Sequence, residues 1–426
     1  MNYLIIGAGP AGSAAAEAIR EVDSEGTITM ISEEPLALYA KPLITDLLAQ
    51  KIQRTQIIWK GENFCSAHRI HLQTGKRAIR LDIPRREVVV NRGERIGYDR
   101  LLIATGGRPI ALSIPGVELP GVFSFTRLSD ADALAQFVRS RKAKSAVVIG
   151  GGMIGLKATE ALLEQGLEVS IVEMADRLLA ATFDRPASSI VEEALQKKGC
   201  QVFLQNTATQ ILSGRSGQVE GVMLRDRKKL PCHLVIVAIG VTPNIDLARE
   251  ATISCHRGIR VDSTMQTSQD GIYAAGDCCE MQDFFGAGPR VIAIWPNAVR
   301  QGKVAGHNMA GQKDRYEGSL AMNAVEIGGV ATVSVGMTDP EGEGYEIRKI
   351  WNPQKSIYKK LVLKEEVIVG AIFVEDMDRA GIYTGLIRNR IPVSDFKEHL
   401  LKEDFGLIYL PQAFRKHLVT GEGMEV

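Results

Sequence analysis

The chain has no Cys-x-x-Cys, no excess of either charge and no apolar run long enough to cross a bilayer. Each absence removes a class of protein. Six cysteines in 426 residues, with no redox spacing among them, exclude a disulfide scaffold and predict reduced, mostly buried thiols. Lys and Arg number 51 against 50 for Asp and Glu. That balance gives no support to a nucleic-acid or polyanionic partner. A bilayer span needs roughly 20 apolar residues. The longest run here, HLVIVAIGV at 233–241, has the length of a buried strand, so no membrane is expected. The opening MNYLIIGAG runs straight into a strand with no basic, then apolar, leader. No signal peptide is therefore expected, and the protein is assigned to the cytoplasm. No metal site is expected.

What is present is a repeat. NYLII at 2–6 reads as a strand, GAGPAG as a turn, SAAAEAIREV as a helix and TITMIS at 27–32 as a second strand ending at Glu33 and Glu34. The same order returns at 145: SAVVI, GGGMIG, LKATEALLEQG, then EVSIV ending at Glu173. A repeated strand–helix–strand unit with a glycine turn places two nucleotide-binding domains in one chain. Size agrees, because a single core stops growing at roughly 250–300 residues. YDRLLIATGGRP at 98–109 and its echo HLVIVAIGVTPN at 233–244 each read as a strand entering a glycine turn. SIPGVELPG at 113–121 reads as a hinge. From about residue 319 the pattern alternates and becomes strand-rich, closing with short helices near 381–389 and 394–403.

The expected fold class is α/β: two Rossmann-like dinucleotide-binding domains with a smaller α+β C-terminal domain. The expected boundaries are 1–112 and 244–318 for the first dinucleotide-binding domain, 113–243 for the second and 319–426 for the C-terminal interface domain.

In GAGPAG, Gly7 allows the tight turn, Gly9 lets the backbone approach a pyrophosphate, and Gly12 lets the helix pack on the sheet. The helix start then offers free N–H groups to the phosphates. In GGGMIG the spaced glycines are Gly150, Gly152 and Gly155, and Glu173 ends the following strand. A carboxylate there accepts hydrogen bonds from ribose hydroxyls and repels a 2′-phosphate, so NADH is preferred to NADPH. Arg177, close by in sequence, works against that preference. IWPNAVRQGKVAGH, with Trp295 and Pro296 at its head, reads as a small-residue helix whose positive end is a ready anion site.

GAGPAG, LLIATGGRP, GGGMIG with Glu173, and GIYAAGDCCE occur together and in one order. In this the chain resembles the pyridine-nucleotide-disulfide oxidoreductase superfamily. YAKPLI at 39–44 and IWPNAVRQG at 294–302 look like its NADH:rubredoxin reductases, nitrite reductase FAD parts and NADH oxidases. Reductases that accompany carbon monoxide dehydrogenase are similar too. The resemblance implies that Gly7, Gly9 and Gly12 face the FAD pyrophosphate, that Glu33 rather than Glu34 holds its ribose, and that Lys41 and Pro42 lie along the flavin. It implies that Ala78 contacts adenine through its backbone, that Ala104, Thr105 and Gly106 line the dinucleotide, and that Asp277 binds the ribityl or phosphate. Gly152, Ile154, Glu173 and Gly240 belong to the NADH site.

Members of this superfamily that reduce disulfides carry a cysteine after the first nucleotide unit or a pair in the NAD domain. Here YAKPLITDLLAQKI holds none, and Cys200 and Cys232 have no redox spacing. Cys278 and Cys279 are neighbours, a geometry that seldom bridges. The flavin is thus the expected redox centre. One departure stands out: Lys157 occupies a position commonly Glu in the superfamily, and Asp46 one that some members fill with Lys. The exchange predicts an Asp46–Lys157 pair at the reacting edge. The implied reaction is hydride transfer from NADH to flavin N5, then electrons to a small iron–sulfur protein such as rubredoxin or ferredoxin. A peroxide-forming NADH oxidase and an FAD subunit of a larger redox complex remain open. A homodimer or a complex through the C-terminal domain is also open, and the tail FGLIYLPQAFRKHLVTGEGMEV favours such docking.

Overall fold

In the computed structural model, residues 1–412 and 415 are described, apart from Glu62 and Ser216. Most of the tail singled out above for docking, from 413 on, lies outside the described residues except Arg415. The chain packs into two units. The first comprises 1–150, 154–172 and 207–320; the second comprises 151–153, 173–206 and 321–426.

The first unit holds two parallel sheets. One has the order Ile272–Ala274, Arg100–Ile103, Asn2–Ile6, Thr27–Ser32, Ile70–Thr74. Leu4, Ile5, Leu101, Leu102, Ile103 and Ala274 are fully buried within it, as befits strands covered on both faces. The second sheet includes Glu168–Val172, Ser145–Ile149, Leu234–Val237 and Val122–Phe123, again in parallel register. The strands predicted at 2–6, 27–32, 145–149 and 168–172 form over those residues. The two helices begin earlier than their apolar pattern suggested, at Pro10 and at Met153. Proline suits the first helical position, where no N–H is needed.

Two helices in this unit touch backbone to backbone. The helix Pro10–Val22 presents Ala11, Ala15 and Ala18 to the helix Trp295–Met309. A Cβ on Gly302 would lie 2.1 Å from the Ala11 carbonyl oxygen, and one on Gly306 would lie 2.4 Å from that of Ala15. Glycines at positions i and i+4 are therefore what lets the second helix lie on the first.

The second unit is built on an antiparallel sheet ordered Met322–Ile327, Val330–Gly336, Val367–Val374, Ile357–Lys364, Glu346–Asn352. The helices Ala380–Arg388 and Arg185–Lys197 pack against it. Near the predicted second short helix the chain forms a 3₁₀ segment, Ser394–His399.

Replacing Gly302 by Val should destabilise the protein by about 1–3 kcal/mol in urea unfolding through overpacking. The exposed neighbour Lys303→Ala should stay within about 0.5 kcal/mol.

Candidate functional site: two glycine turns and a half-buried carboxylate

Both glycine turns are built the same way. Gly7 has φ +116° and Gly150 has φ +114°, values that favour glycine over any residue with a Cβ. A Cβ on Gly7 would sit 2.1 Å from the Ala104 oxygen, and one on Gly150 would sit 2.3 Å from the Ala238 oxygen. Gly12 and Gly155 each lie over the carbonyl of the glycine five residues earlier, where a Cβ would come within 1.9 and 2.0 Å. Gly9 and Gly152 differ: a Cβ on either would meet nothing within 4 Å. The first and third glycines of each turn thus close the fold, and the middle one leaves its backbone open to a ligand. The helix Pro10–Val22 has no acidic residue in its first turn and no side-chain cap, so its leading N–H groups are open to an anion.

Ala104 donates its N–H to the Ile6 oxygen. Thr105 Oγ1 donates to the Asn244 oxygen at 2.7 Å, while the Asn244 side chain and backbone N–H groups donate to the oxygens of Thr105 and Gly106. The Ala-Thr-Gly segment is in this way tied to VTPN, a role for Asn244 not assigned from sequence; its signal was the polar residue closing the second strand echo. Ala78 begins the strand Ala78–Asp82. Gly240 has φ +119°, and Ile154 lies in the first turn of the helix Met153–Glu164.

Asp277 follows the strand Ile272–Ala274. It is half-buried, and among the described residues its carboxylate takes part in no hydrogen bond or ion pair. Burial pushes its carboxyl up, and Lys41 pulls it down. Lys41 opens a 3₁₀ turn with Pro42 and lies 3.6 Å from Glu34. Glu34 is also bonded by the Tyr39 hydroxyl at 2.5 Å. Glu33 is the exposed acid of the pair, 3.7 Å from Arg127. Trp295 and Pro296 begin the helix Trp295–Met309, which also has no acid in its first turn. The Trp295 ring meets Trp59 edge-on at 4.8 Å. A half-buried carboxylate lacking partners, an open glycine and an uncapped helix start fit the hydroxyl groups and pyrophosphate of an FAD.

Glu173 is fixed by two backbone donors, Gly151 at 2.5 Å and Ala175 at 2.7 Å. Its carboxylate oxygens keep further lone pairs for ribose hydroxyls. Arg177, expected to work against the preference for NADH, is engaged elsewhere. Its guanidinium donates to the Phe183 oxygen and pairs with Asp176 and Asp339.

Lys157, expected to pair with Asp46, has a carboxylate partner on its own helix. Lys157 Nζ lies 2.7 Å from Glu160 Oε2, one turn along its own helix. Asp46 sits in the first turn of the helix Ile44–Leu48. The two helices are joined elsewhere, by Lys51–Glu164 at 2.9 Å and by Gln165 on the Leu48 oxygen at 2.8 Å. Lys157 is seven residues before Glu164, about 10 Å along the helix axis from that junction.

The adjacent cysteines are buried thiols. Cys278 Sγ donates to the oxygens of Ile103 and Ala275. Cys279 Sγ donates to Gln301 Oε1 at 3.1 Å, the same oxygen that accepts the Gly276 N–H at 2.8 Å. Burial pushes both thiols up, and Cys232 is pushed up to about 12. A thiolate is the reactive form, and these sites suppress it. Gln301 is a second hydrogen-bonding position unassigned from sequence; a glutamine on the small-residue face of a helix was its only signal.

Because burial raises the Asp277 carboxyl in the folded state, this group lends the flavin-free protein stability that is full below its ordinary value of 3.8. That stability is lost as pH rises through the raised value. Asp277→Asn should accordingly raise the Tm of flavin-free protein near neutral pH, with the difference fading at low pH, and should weaken flavin binding. Gly9→Ala should leave Tm nearly unchanged but lower flavin affinity, whereas Gly12→Ala should lower Tm as well. Thermal melts and flavin titrations separate these cases.

Among the described residues no helix is long and apolar enough to cross a membrane. Residues 1–302 match the family model described as pyridine nucleotide-disulphide oxidoreductase, and residues 322–391 match the rubredoxin NAD+ reductase C-terminal domain. The chain is 31% identical to the nitrite reductase [NAD(P)H] of Bacillus subtilis (strain 168), over 92% of this chain and 48% of that protein. It is 33% identical to the biphenyl dioxygenase system ferredoxin–NAD(+) reductase component of Paraburkholderia xenovorans (strain LB400), over 92% of this chain and 94% of that one. The covalent putidaredoxin reductase–putidaredoxin complex contains a chain similar in structure, with TM-score 0.82 and 25% identity, covering 92% of this chain and 94% of that one. The chain spans about half the length of the first curated relatives it matches, at 48% of each. Duplicated glycine turns, parallel sheets and the matched models agree: the chain belongs to the pyridine nucleotide-disulphide oxidoreductase family, with a C-terminal domain of the rubredoxin NAD+ reductase type.

Proposed function

We propose that the protein is a cytoplasmic, FAD-dependent NADH oxidoreductase that passes electrons to a small iron–sulfur protein such as rubredoxin or ferredoxin. The observation that carries this reading is the duplicated strand–glycine–helix turn, each copy with an open middle glycine at Gly9 and Gly152. Two such turns call for two dinucleotides. Bound FAD supplies the chemistry: it takes a hydride's two electrons and gives them up singly.

The chain's own residues bind and orient. In this reading 1–112 and 244–318 hold FAD, 113–243 holds NADH, and 319–426 is the interface domain. Gly7, Gly9 and Gly12 with the helix Pro10–Val22 take the FAD pyrophosphate, Glu33 its ribose, Ala78 its adenine, and Asp277 its ribityl or phosphate oxygens. Ala104, Thr105 and Gly106 line it; Lys41, Pro42, Trp295 and Pro296 flank the ring. Gly150, Gly152, Ile154, Gly155, Glu173 and Gly240 serve NADH. No side-chain base is needed, since hydride transfer releases no proton from the coenzyme. Support for the acceptor comes from the relative named as a ferredoxin–NAD(+) reductase and from the C-terminal match. The buried thiols fit a reaction without a disulfide stage.

A second reading, the FAD module of a larger redox assembly, is favoured by one observation: the match covers 48% of the nitrite reductase relative.

Anaerobic mixing with NADH should bleach the flavin band within the turnover time, and a band that persists overturns the proposal. Cys278→Ala/Cys279→Ala should bleach at a rate within about twofold of the parent, since inert thiols contribute little. The reduced enzyme should reduce rubredoxin or ferredoxin faster than dioxygen; the reverse order supports an oxidase.

A further inference from the structure

The segment after Glu173, residues 174–184, is strapped to the C-terminal sheet within the second unit. Thr338 Oγ1 donates to the Thr182 oxygen at 2.8 Å. Asp184, which caps the helix Arg185–Lys197, accepts from the Tyr358 hydroxyl at 2.6 Å and pairs with Lys360 at 3.0 Å. Lys360 is only 5% exposed and reaches across to Asp339 at 3.1 Å. Asp339 in turn pairs with Arg177 at 3.3 Å. A nearly buried lysine placed between two carboxylates has its charge compensated from both sides, and it draws Asp339 toward the segment that ends at Asp184.

The consequence falls on Arg177. It is the one cation between Glu173 and Asp184, and thus the residue of that segment able to meet a ribose 2′-phosphate. Planar guanidinium groups bind phosphate well when free to turn toward it. Here Asp176 and Asp339 share its charge, and the Phe183 oxygen at 3.0 Å fixes its Nε.

We propose that Asp339 is a positioning residue for coenzyme choice. It draws the Arg177 guanidinium toward the C-terminal sheet and, together with Asp176, neutralises it, so that the C-terminal sheet enforces the preference for NADH that Glu173 begins by repulsion. The inference rests on the reading of Glu173 as a ribose ligand. It gives the C-terminal domain a task in addition to meeting partners.

The test uses the full-length, FAD-loaded protein. Dissociation constants for NAD+ and NADP+ are measured by calorimetry, and kcat/KM is measured for NADH and NADPH. Asp339→Asn should tighten NADP+ by about tenfold, the gain of one charge-assisted contact. NAD+ should stay within about twofold, since no contact to its ribose is altered. The gain should vanish in Asp339→Asn/Arg177→Ala. Arg177→Ala alone should leave NADP+ affinity where it was, and this variant keeps the idea testable should Asp339→Asn fold poorly. Unchanged NADP+ binding in Asp339→Asn overturns the proposal. So does a gain that survives loss of Arg177, or a marked loss of NADP+ affinity in Arg177→Ala alone. Failure of the parent protein to bind either coenzyme would instead refute the underlying NADH reading.

Discussion

The close approach of backbone to backbone at the strand–helix turns is the constraint from which the rest follows. Gly7 lies against the Ala104 carbonyl and Gly150 against the Ala238 carbonyl at distances that no Cβ allows. Each contact draws a neighbouring parallel strand up beside the turn. That brings the Ala-Thr-Gly segment next to Gly7 and the Ala-Ile-Gly segment next to Gly150. The middle glycines, Gly9 and Gly152, are the ones at which a Cβ would meet nothing within 4 Å, and open α/β sheets take their ligands at the carboxyl ends of their strands.

The same economy of side chains governs the packing of the two small-residue helices. Gly302 and Gly306 lie over the carbonyls of Ala11 and Ala15. Gln301, beside Gly302, is thereby held where it serves both Gly276 and Cys279. The adjacent cysteines, conspicuous in the sequence, act as donors inside this packing. Their environment raises both thiols and removes the nucleophilic form.

In the second unit the organising contact is electrostatic. Lys360 sits between Asp184 and Asp339, and the Tyr358 hydroxyl completes the set on Asp184. Burial makes such a network costly to break. It therefore keeps the segment from Glu173 to Asp184 in one arrangement and engages Arg177 within it.

Much was legible along the chain because the determinants are local. Glycine spacing, the apolar strand before it and the small-residue helix after it lie within some thirty residues of one another, as the Rossmann fingerprint requires. The strands 2–6, 27–32, 145–149 and 168–172, and the close packing at Gly7 and Gly12, could be read that way. The lack of redox spacing among the cysteines was equally plain along the chain. Pairings between distant side chains were not legible. Asp46 and Lys157 looked complementary, yet Lys157 meets Glu160, one turn away on its own helix. Arg177 was expected to work against the preference for NADH, yet it is engaged, because Asp339 arrives from a strand-rich region 162 residues later. Sequence by itself determined the two nucleotide turns, since a φ near +115° and a missing Cβ can be supplied by glycine alone. Which charges neutralise one another was decided by tertiary structure, because an ion pair depends on a few ångströms of separation and on burial, and neither is written in sequence order.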